Sequence, residues 1–166
     1  MNTDPLVLLM MGSDTDLPIM QEAADILRSF DVPYEMRISS AHRSPVRTLA
    51  LASEAAGRGI KVIIAGAGMA AHLAGVVASK SILPVIGVPM PGGALNGVDA
   101  LYATVQMPAG IPVATMAIGR AGAKNAGLFA VQILALSEPR LAESILRYRS
   151  DMDKDLEEKD ATLQGQ

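Results

Sequence analysis

The sequence contains no cysteine, and this absence removes several kinds of chemistry at once. Disulfides, thiolate metal sites and a cysteine nucleophile are all excluded. No run of apolar residues approaches the roughly 20 that a membrane-spanning helix needs. The first residues, MNTDP, show no secretory signal pattern. We therefore expect a cytoplasmic protein that does not bind a membrane.

Aromatic residues and clusters of basic residues are also scarce. The formal net charge is −3 and no basic tract is present, which argues against a groove for nucleic acid. Tryptophan is absent, and Phe30 and Phe129 are the only phenylalanines. The core must therefore be built from Ala, Val, Ile, Leu and Met. We interpret the ten methionines as adaptable core side chains.

Short apolar segments alternate with helical patterns along the whole chain. Apolar runs predict strands at 6–11, 34–39, 61–65, 84–88 and 112–118. Helical periodicity predicts helices after Asp16 and at 45–58, 70–80, 98–105 and 121–136. Pro18 does not argue against the first of them, because proline is tolerated in the first turn of a helix. This alternation predicts an α/β fold, a three-layer doubly wound parallel sheet of the flavodoxin-like or Rossmann-like type, in a single domain over residues 1–166.

The end of the chain is much more charged than the rest. A helix is predicted from Glu138 to about Glu158, with only a thin apolar stripe formed by Leu141, Ile145 and Leu146. Such a helix could dock on a neighbouring subunit, or it could pack at the edge of the sheet. The last seven residues, DATLQGQ, are predicted to be disordered.

The loops that follow the strands contain the polar residues of interest, because ligands of such sheets bind beyond the carboxyl ends of the strands. The first loop, GSDTD (12–16), offers the hydroxyls of Ser13 and Thr15 to a phosphate and the carboxylate of Asp16 to a sugar diol. A purely structural reading is equally open, since Asp16 or Thr15 could serve only as a helix N-cap.

The second loop, SSAHRSP (39–45), places an imidazole beside a guanidinium. Arg43 suits a phosphate, and His42 carries an imidazole, a side chain that can both donate and accept a proton. The other histidine, His72, is predicted at the start of a helix, where a neutral hydrogen-bonding role is favoured over a cation. A metal bound by His42 and His72 remains an alternative, although no further ligands are evident near them.

The third loop resembles a dinucleotide-binding turn. The segment VIIAGAGMAAHLAG (62–75) contains G-x-G-x-x-A at Gly66, Gly68 and Ala71 after an apolar strand. A dinucleotide site also needs an acidic residue about 20 positions later, and the window 86–91 has none. The pattern also follows the third strand and not the first. These two observations disfavour dinucleotide binding.

Taken together, the loops resemble one family over about residues 5–150. The segments MGSDTD, SAHRSP, AGAGMAAHLAG, GVP, ALNGVDALYATVQMPAGIPVAT and AIGRAGAKNAGLFAVQILA are similar to the class I form of PurE. Members of this class are 5-(carboxyamino)imidazole ribonucleotide mutases of purine biosynthesis. Class II relatives, which carboxylate aminoimidazole ribonucleotide with free CO₂, tend to have Lys after the loop histidine and to lack the AAHL segment.

The resemblance implies a role for each loop. Ser13, Thr15 and Arg43 would hold the phosphate, and Asp16 would accept the ribose hydroxyls. Ser40 and the glycine loop would surround the migrating carboxylate, and His42 would be the general acid and base. The expected substrate-binding set is completed by Ala41, Gly68, Ala70, Ala71, His72 and Leu73. The resemblance further implies no cofactor or metal, a ribonucleotide substrate and a homo-octamer.

Several departures from the family pattern accompany this resemblance. The family usually has Gly at position 69 and Pro at position 74, whereas this chain has Met69 and Ala74. The segment PMPGGALNG also differs from the common PVQSxAL. Two other functions stay open at this point: a carboxylase that uses free CO₂ in the same pocket, and a non-catalytic module that binds a nucleotide.

Overall fold

The structure is a computed structural model that describes residues 4–165. At its centre lies a parallel sheet of five strands in the order β2-β1-β3-β4-β5. The strands are β1 (Val7–Met11), β2 (Tyr34–Ile38), β3 (Val62–Ala67), β4 (Val85–Pro89) and β5 (Ala114–Thr115). The predicted parallel α/β sheet is therefore confirmed, and its strand order is that of flavodoxin-like folds.

Helices cover both faces of the sheet. In chain order the helices of the protein are α1 (Leu17–Ser29), α2 (Pro45–Glu54), α3 (Leu73–Ala78), α4 (Val98–Val105), α5 (Arg120–Ala135) and α6 (Pro139–Gln164), and α6 belongs to a different unit from the sheet. Successive strand side chains point to opposite faces. Leu8 and Met10 of β1 pack in one core cluster with residues of α2 and α3. Val7, Leu9 and Met11 are equally buried on the other face, which explains why β1 is apolar at every position.

The last strand and the helix after β2 are shorter in the structure than predicted. The strand predicted at 112–118 is reduced to Ala114–Thr115 at the edge of the sheet, where Pro112 has no N–H to donate to β4. The helix predicted at 45–58 ends at Glu54 and is followed by a 3₁₀ turn, Ala56–Arg58. Gly59, with φ 90°, closes that turn.

The helix predicted at 70–80 begins only at Leu73 and ends at Ala78. Met69, just before the predicted start, has φ 56°, in the left-handed region, and the next residues do not make the bonds four residues apart that define an α-helix. Short backbone bonds then turn the chain into the helix, from Ala71 N to Met69 O and from His72 N to Ala70 O, both at 2.8 Å.

The terminal helix α6 is longer than predicted, and the expected disorder of residues 160–166 is wrong for 160–164, which are helical. Gly165 is a turn, and Gln166 lies outside the described residues. Ion pairs one turn apart, such as Lys159 with Asp155, support the exposed helix. No helix within residues 4–165 combines the length and apolar character that crossing a bilayer requires.

The chain divides into two compact units, residues 1–131 and residues 132–166. The first contains the whole sheet and helices α1 to α4, and the second contains the end of α5 and all of α6. The expectation of a single domain stays a prediction.

The strand order brings three loops together at the carboxyl ends of the strands. Met11, the last residue of β1, lies opposite Ile38 of β2 and Gly66 of β3. Backbone pairing continues beyond the strands, because Ser39 N donates to Met11 O at 2.8 Å and Gly12 N donates to Gly66 O at 3.3 Å. The chain changes direction across the sheet between β1 and β3, and this is where doubly wound sheets bind ligands.

Candidate functional site

A cleft of about 510 Å³ lies at the carboxyl ends of the strands, and its volume is within the range of small-molecule sites. Three loops, those after β1, β2 and β3, line it: Gly12, Ser13, Thr15, Asp16, Ser40, Ala41, His42, Arg43, Ala67, Gly68, Met69, Ala70, His72 and Leu73. Every predicted site residue except Ala71 is among them. Ala71 is buried, at 2% exposure, and does not line the cleft.

Asp16 is not the side-chain cap that a structural reading would require. It occupies the N-cap position of α1, but its side chain makes no capping hydrogen bond with the helix. It lines the cleft instead, and one of its carboxylate oxygens lies against Gly12, 4.0 Å from the position of a β-carbon there. The carboxylate is therefore placed to accept hydrogen bonds from a ligand.

The pKa of the Asp16 carboxyl is raised above its ordinary value of 3.8, chiefly because burial disfavours the charged form. Asp14 also raises the pKa, whereas a backbone hydrogen bond from Ser13 and the charge of Arg43 act in the opposite direction. The folded state thus holds this proton more tightly than the unfolded chain does. The resulting stabilisation is complete below the unfolded pKa and is lost as pH rises through the folded pKa.

The same shift predicts how ligand binding depends on pH. Asp16 is predicted to accept hydrogen bonds from ribose hydroxyls, and a protonated carboxyl is a poorer acceptor, so affinity for a ribonucleotide should fall as pH decreases through the raised pKa. Calorimetric titration of aminoimidazole ribonucleotide between neutral pH and about pH 4 measures this. Asp16→Asn is the control, because it retains the pH dependence of the ligand's own phosphate. Equal pH dependence in both proteins would contradict the assignment.

Two donors of the first loop make hydrogen bonds within the loop itself. Thr15 N donates to Ser13 Oγ at 3.4 Å and to Asp14 Oδ1 at 3.1 Å, and Ser13 Oγ donates to Asp14 Oδ1 at 3.0 Å. Asp14 thus accepts a hydrogen bond from the Ser13 hydroxyl, which is predicted to bind phosphate, and another from the backbone N–H of Thr15. A bound phosphate would take over these bonds and would be drawn there by the cation of Arg43.

Buried hydroxyl groups hold the second loop on α2. Thr48 Oγ1 donates to Ser44 O at 3.1 Å, so the 2.8 Å contact with the buried Ser39 must use the Ser39 hydroxyl as donor. Ser40 Oγ accepts from Arg43 N at 3.2 Å. Neither Ser39 nor Thr48 was predicted as part of the site. The polar position Thr48 within an otherwise apolar helical face is the signal that could have identified it.

The guanidinium of Arg43 connects the first two loops. Its Nη2 donates to Gly12 O at 2.7 Å. An arginine has five N–H donors in a fixed fork, so this bond orients the group while donors remain for an anion. The oriented cation and the hydroxyls of Ser13 and Thr15 form one wall of the cleft.

The two histidines of the chain meet in the cleft although 30 positions separate them in the sequence. His42 Nε2 and His72 Nδ1 are 2.8 Å apart, with the ring planes at 80°. A hydrogen bond at this distance needs one N–H and one lone pair, so the two rings cannot both be cations while it exists. The expected neutral role of His72 is consistent with this geometry.

The glycines of the third loop have different roles. A β-carbon on Gly66 would lie 2.6 Å from Met20 Sδ and would also overlap Met90, so Gly66 is a position where two methionine side chains pack closely on the strand. Gly68 lines the cleft. Three further residues line it that the motif analysis did not include among the binding residues: Gly12, Ala67 and Met69. The first two could have been found as the residues at or next to strand ends.

The sequence comparisons agree with this geometry. The profile of one family, AIR carboxylase, matches residues 6–155. The chain belongs to the AIR carboxylase family. A Pyrococcus horikoshii relative named N5-carboxyaminoimidazole ribonucleotide mutase is 56% identical over 160 residues, which cover 96% of this chain and 89% of the relative. A Thermotoga maritima relative of the same name is 51% identical over 96% of this chain and 92% of its own length.

A solved structure has the same fold as this chain. The crystal structure of Treponema denticola PurE superposes with a TM-score of 0.86 at 30% identity and covers 96% of this chain and 98% of its own. The predicted resemblance to PurE is thus confirmed. Within residues 4–165, no cluster of three or more His, Asp or Glu side chains is arranged to hold a metal ion.

Proposed function

We propose that this protein converts 5-(carboxyamino)imidazole ribonucleotide to 4-carboxy-5-aminoimidazole ribonucleotide, the reaction named for the Pyrococcus and Thermotoga relatives. The observation that carries the proposal is the hydrogen-bonded pair His42–His72 in the same cleft as Arg43 and Asp16. Binding a nucleotide would use Arg43 and Asp16, but it would not need a pair of imidazoles that can exchange protons.

Each wall of the cleft binds one part of the substrate. Arg43 and the hydroxyls of Ser13 and Thr15 hold the phosphate, and the Asp16 carboxylate accepts hydrogen bonds from the ribose hydroxyls. The aminoimidazole ring then lies toward His42, with Ser40 and the loop 68–72 around the carboxylate that migrates. The bond from Arg43 to Gly12 O, which places the guanidinium at the loop of Ser13 and Thr15, supports this orientation.

The reaction proceeds in two steps through one histidine. The His42 cation protonates the carbamate nitrogen, the N–C bond breaks with its electrons on nitrogen, and CO₂ is released beside aminoimidazole ribonucleotide. Carbon 4 of the ring then attacks CO₂ and forms the new C–C bond. Neutral His42 removes the proton from carbon 4, which restores both the aromatic ring and the His42 cation. No proton is gained or lost overall.

The hydrogen bond to His72 determines which nitrogen of His42 exchanges a proton with the substrate. When His42 is the cation, its Nε2–H donates to His72 Nδ1, so His72 is neutral with its proton on Nε2. The same bond persists after His42 has given up its other proton. The nitrogen that exchanges a proton with the substrate is then Nδ1 of His42, and the ring keeps one orientation in both steps.

The bond between the histidines can be tested by two substitutions of His72. Asparagine retains an acceptor near the position of Nδ1, whereas phenylalanine retains only the ring. Because a hydrogen bond to a charged group contributes about 1.5–3 kcal/mol, His72→Phe should lower kcat by roughly 10- to 100-fold. His72→Asn should lose clearly less activity. Equal losses in steady-state assays of the two variants would contradict the positioning role.

The assembly and location of the protein are also part of the proposal. The exposed apolar side chains of α6, among them Leu146, Leu156 and Leu163, support an oligomer in which this helix packs on a neighbouring subunit. We propose a homo-octamer in the cytoplasm. Light scattering at low protein concentration gives the mass, and a monomer would rule the assembly out.

Substrate choice tests the proposed function directly. The purified protein is offered either the carbamate substrate without bicarbonate, or aminoimidazole ribonucleotide with CO₂, and formation of the 4-carboxy product is followed. Conversion of the first marks a mutase. Efficient use of only the second would mark a carboxylase, and use of neither would mark a binding module.

A further inference from the structure

Met69 stands out in the cleft because its backbone is strained. Its φ of 56° lies in the left-handed region, where a side chain with a β-carbon is crowded. The strain is held in place by its neighbours, since Met69 O accepts from Ala71 N at 2.8 Å and Gly68 packs closely on Met90. Strained residues that persist at a ligand cleft often have a function.

The side chain of Met69 lies between two loops. It lines the cleft and is 63% exposed, and its Cγ is 3.5 Å from the position that a β-carbon on Gly93 would occupy. Gly93 belongs to the loop that follows β4. Within the segment 67–70, the other side chains are no larger than a methyl group. Met69 is therefore the one bulky group with which this segment can close the cleft toward the loop after β4.

Closure matters because of the chemistry of the intermediate. Carbon dioxide is small, uncharged and a weak hydrogen-bond acceptor, so polar groups hold it poorly and confinement must keep it near the ring. We propose that in this chain, whose segment PMPGGALNG after β4 also differs from the family pattern, Met69 supplies the side chain that retains CO₂ by blocking the exit between the loop after β3 and Gly93. This inference rests on the proposed mutase function and assigns one step of it to one side chain.

Three substitutions separate the side chain from the strained backbone. Met69→Leu keeps an apolar side chain of similar volume, Met69→Ala removes it but keeps the β-carbon, and Met69→Gly removes both. The measured quantity is the fraction of carbamate substrate that leaves as aminoimidazole ribonucleotide instead of the 4-carboxy product. A sample without enzyme is subtracted, because carbamates lose CO₂ in water. Ile82→Ala, at an apolar position 92% exposed and before the opposite end of β4, is the matched control.

We expect Met69→Ala and Met69→Gly to release roughly five times more aminoimidazole ribonucleotide per molecule of 4-carboxy product than the wild type. This is the factor that results when the barrier to escape of CO₂ falls by about 1 kcal/mol. Met69→Leu and Ile82→Ala should stay near the wild-type ratio. An unchanged ratio in Met69→Ala and Met69→Gly would overturn the retention role, as would a Met69→Leu ratio equal to that of Met69→Ala. A wild-type protein that forms no 4-carboxy product would instead show that the proposed function has failed.

Discussion

Replacing His42 with asparagine should lower kcat by about 10²- to 10⁴-fold, the range that general acid–base catalysis contributes. Asparagine keeps a polar group of similar reach but cannot give a proton to the carbamate nitrogen or take one from carbon 4. Both steps use this residue, so neither half of the reaction should survive. The phosphate and ribose contacts lie on Arg43, Ser13, Thr15 and Asp16, and substrate affinity should therefore change little.

The measurement for His42→Asn pairs steady-state kinetics with direct binding of aminoimidazole ribonucleotide. Loss of kcat with retained affinity identifies a group that acts on the reacting atoms. His72→Asn is the matched control, since it makes the same change in the same cleft at the residue that acts through His42. Turnover of His42→Asn near that of the wild type, with substrate still bound, would show that another group carries the proton.

Replacing Gly122 with alanine should destabilise the fold by at least about 3 kcal/mol, because the new methyl group has no space. A β-carbon at Gly122 would overlap the carbonyl of Ala117, lying 2.6 Å from its carbon atom. These are backbone atoms that precede α5 and cannot rotate away. Helix propensity alone would favour alanine by about 1 kcal/mol, so the sign of the effect shows that close packing outweighs propensity.

Thermal unfolding measures the effect of Gly122→Ala. For a chain of this size, about 3 kcal/mol corresponds to a loss of at least about 6 °C in Tm. Gly57→Ala is the matched control, because a β-carbon there meets no atom within 4 Å and the residue also lies in helical backbone, in the 3₁₀ turn 56–58. Its Tm should stay near that of the wild type. Equal Tm values for Gly122→Ala and Gly57→Ala would contradict the explanation by close packing.

The sequence was sufficient to predict most of the sheet and where the site would be. Four of the strands are unbroken or alternating apolar runs of a kind that only a covered sheet can bury, so their positions agree with the structure within two residues. Once the strands are parallel, their carboxyl ends share one edge. The loops that begin at Gly12, Ser39 and Gly68 therefore had to be neighbours if β1 lay between β2 and β3.

Other features depend on distances between residues far apart in sequence, which local patterns do not contain. The contact of His42 with His72 requires the β2 and β3 loops to extend across the end of β1. The glycine pattern 66–71 predicted close approach to a ligand, and it contained no sign that Met20 and Met90 would pack closely on Gly66. Methionine is not a residue type that indicates a left-handed backbone conformation, so neither the φ of Met69 nor the late start of α3 could be predicted from the sequence.

An isotope experiment tests the central claim most directly, that one cleft both releases and recaptures the same CO₂. Wild-type protein is given the carbamate substrate labelled with ¹³C at the migrating carboxylate, in buffer with an excess of unlabelled bicarbonate. The label in the 4-carboxylate of the product is then measured by NMR during the first turnovers. The account predicts that most of the product retains ¹³C, whereas a label diluted to the level of the surrounding bicarbonate would contradict it.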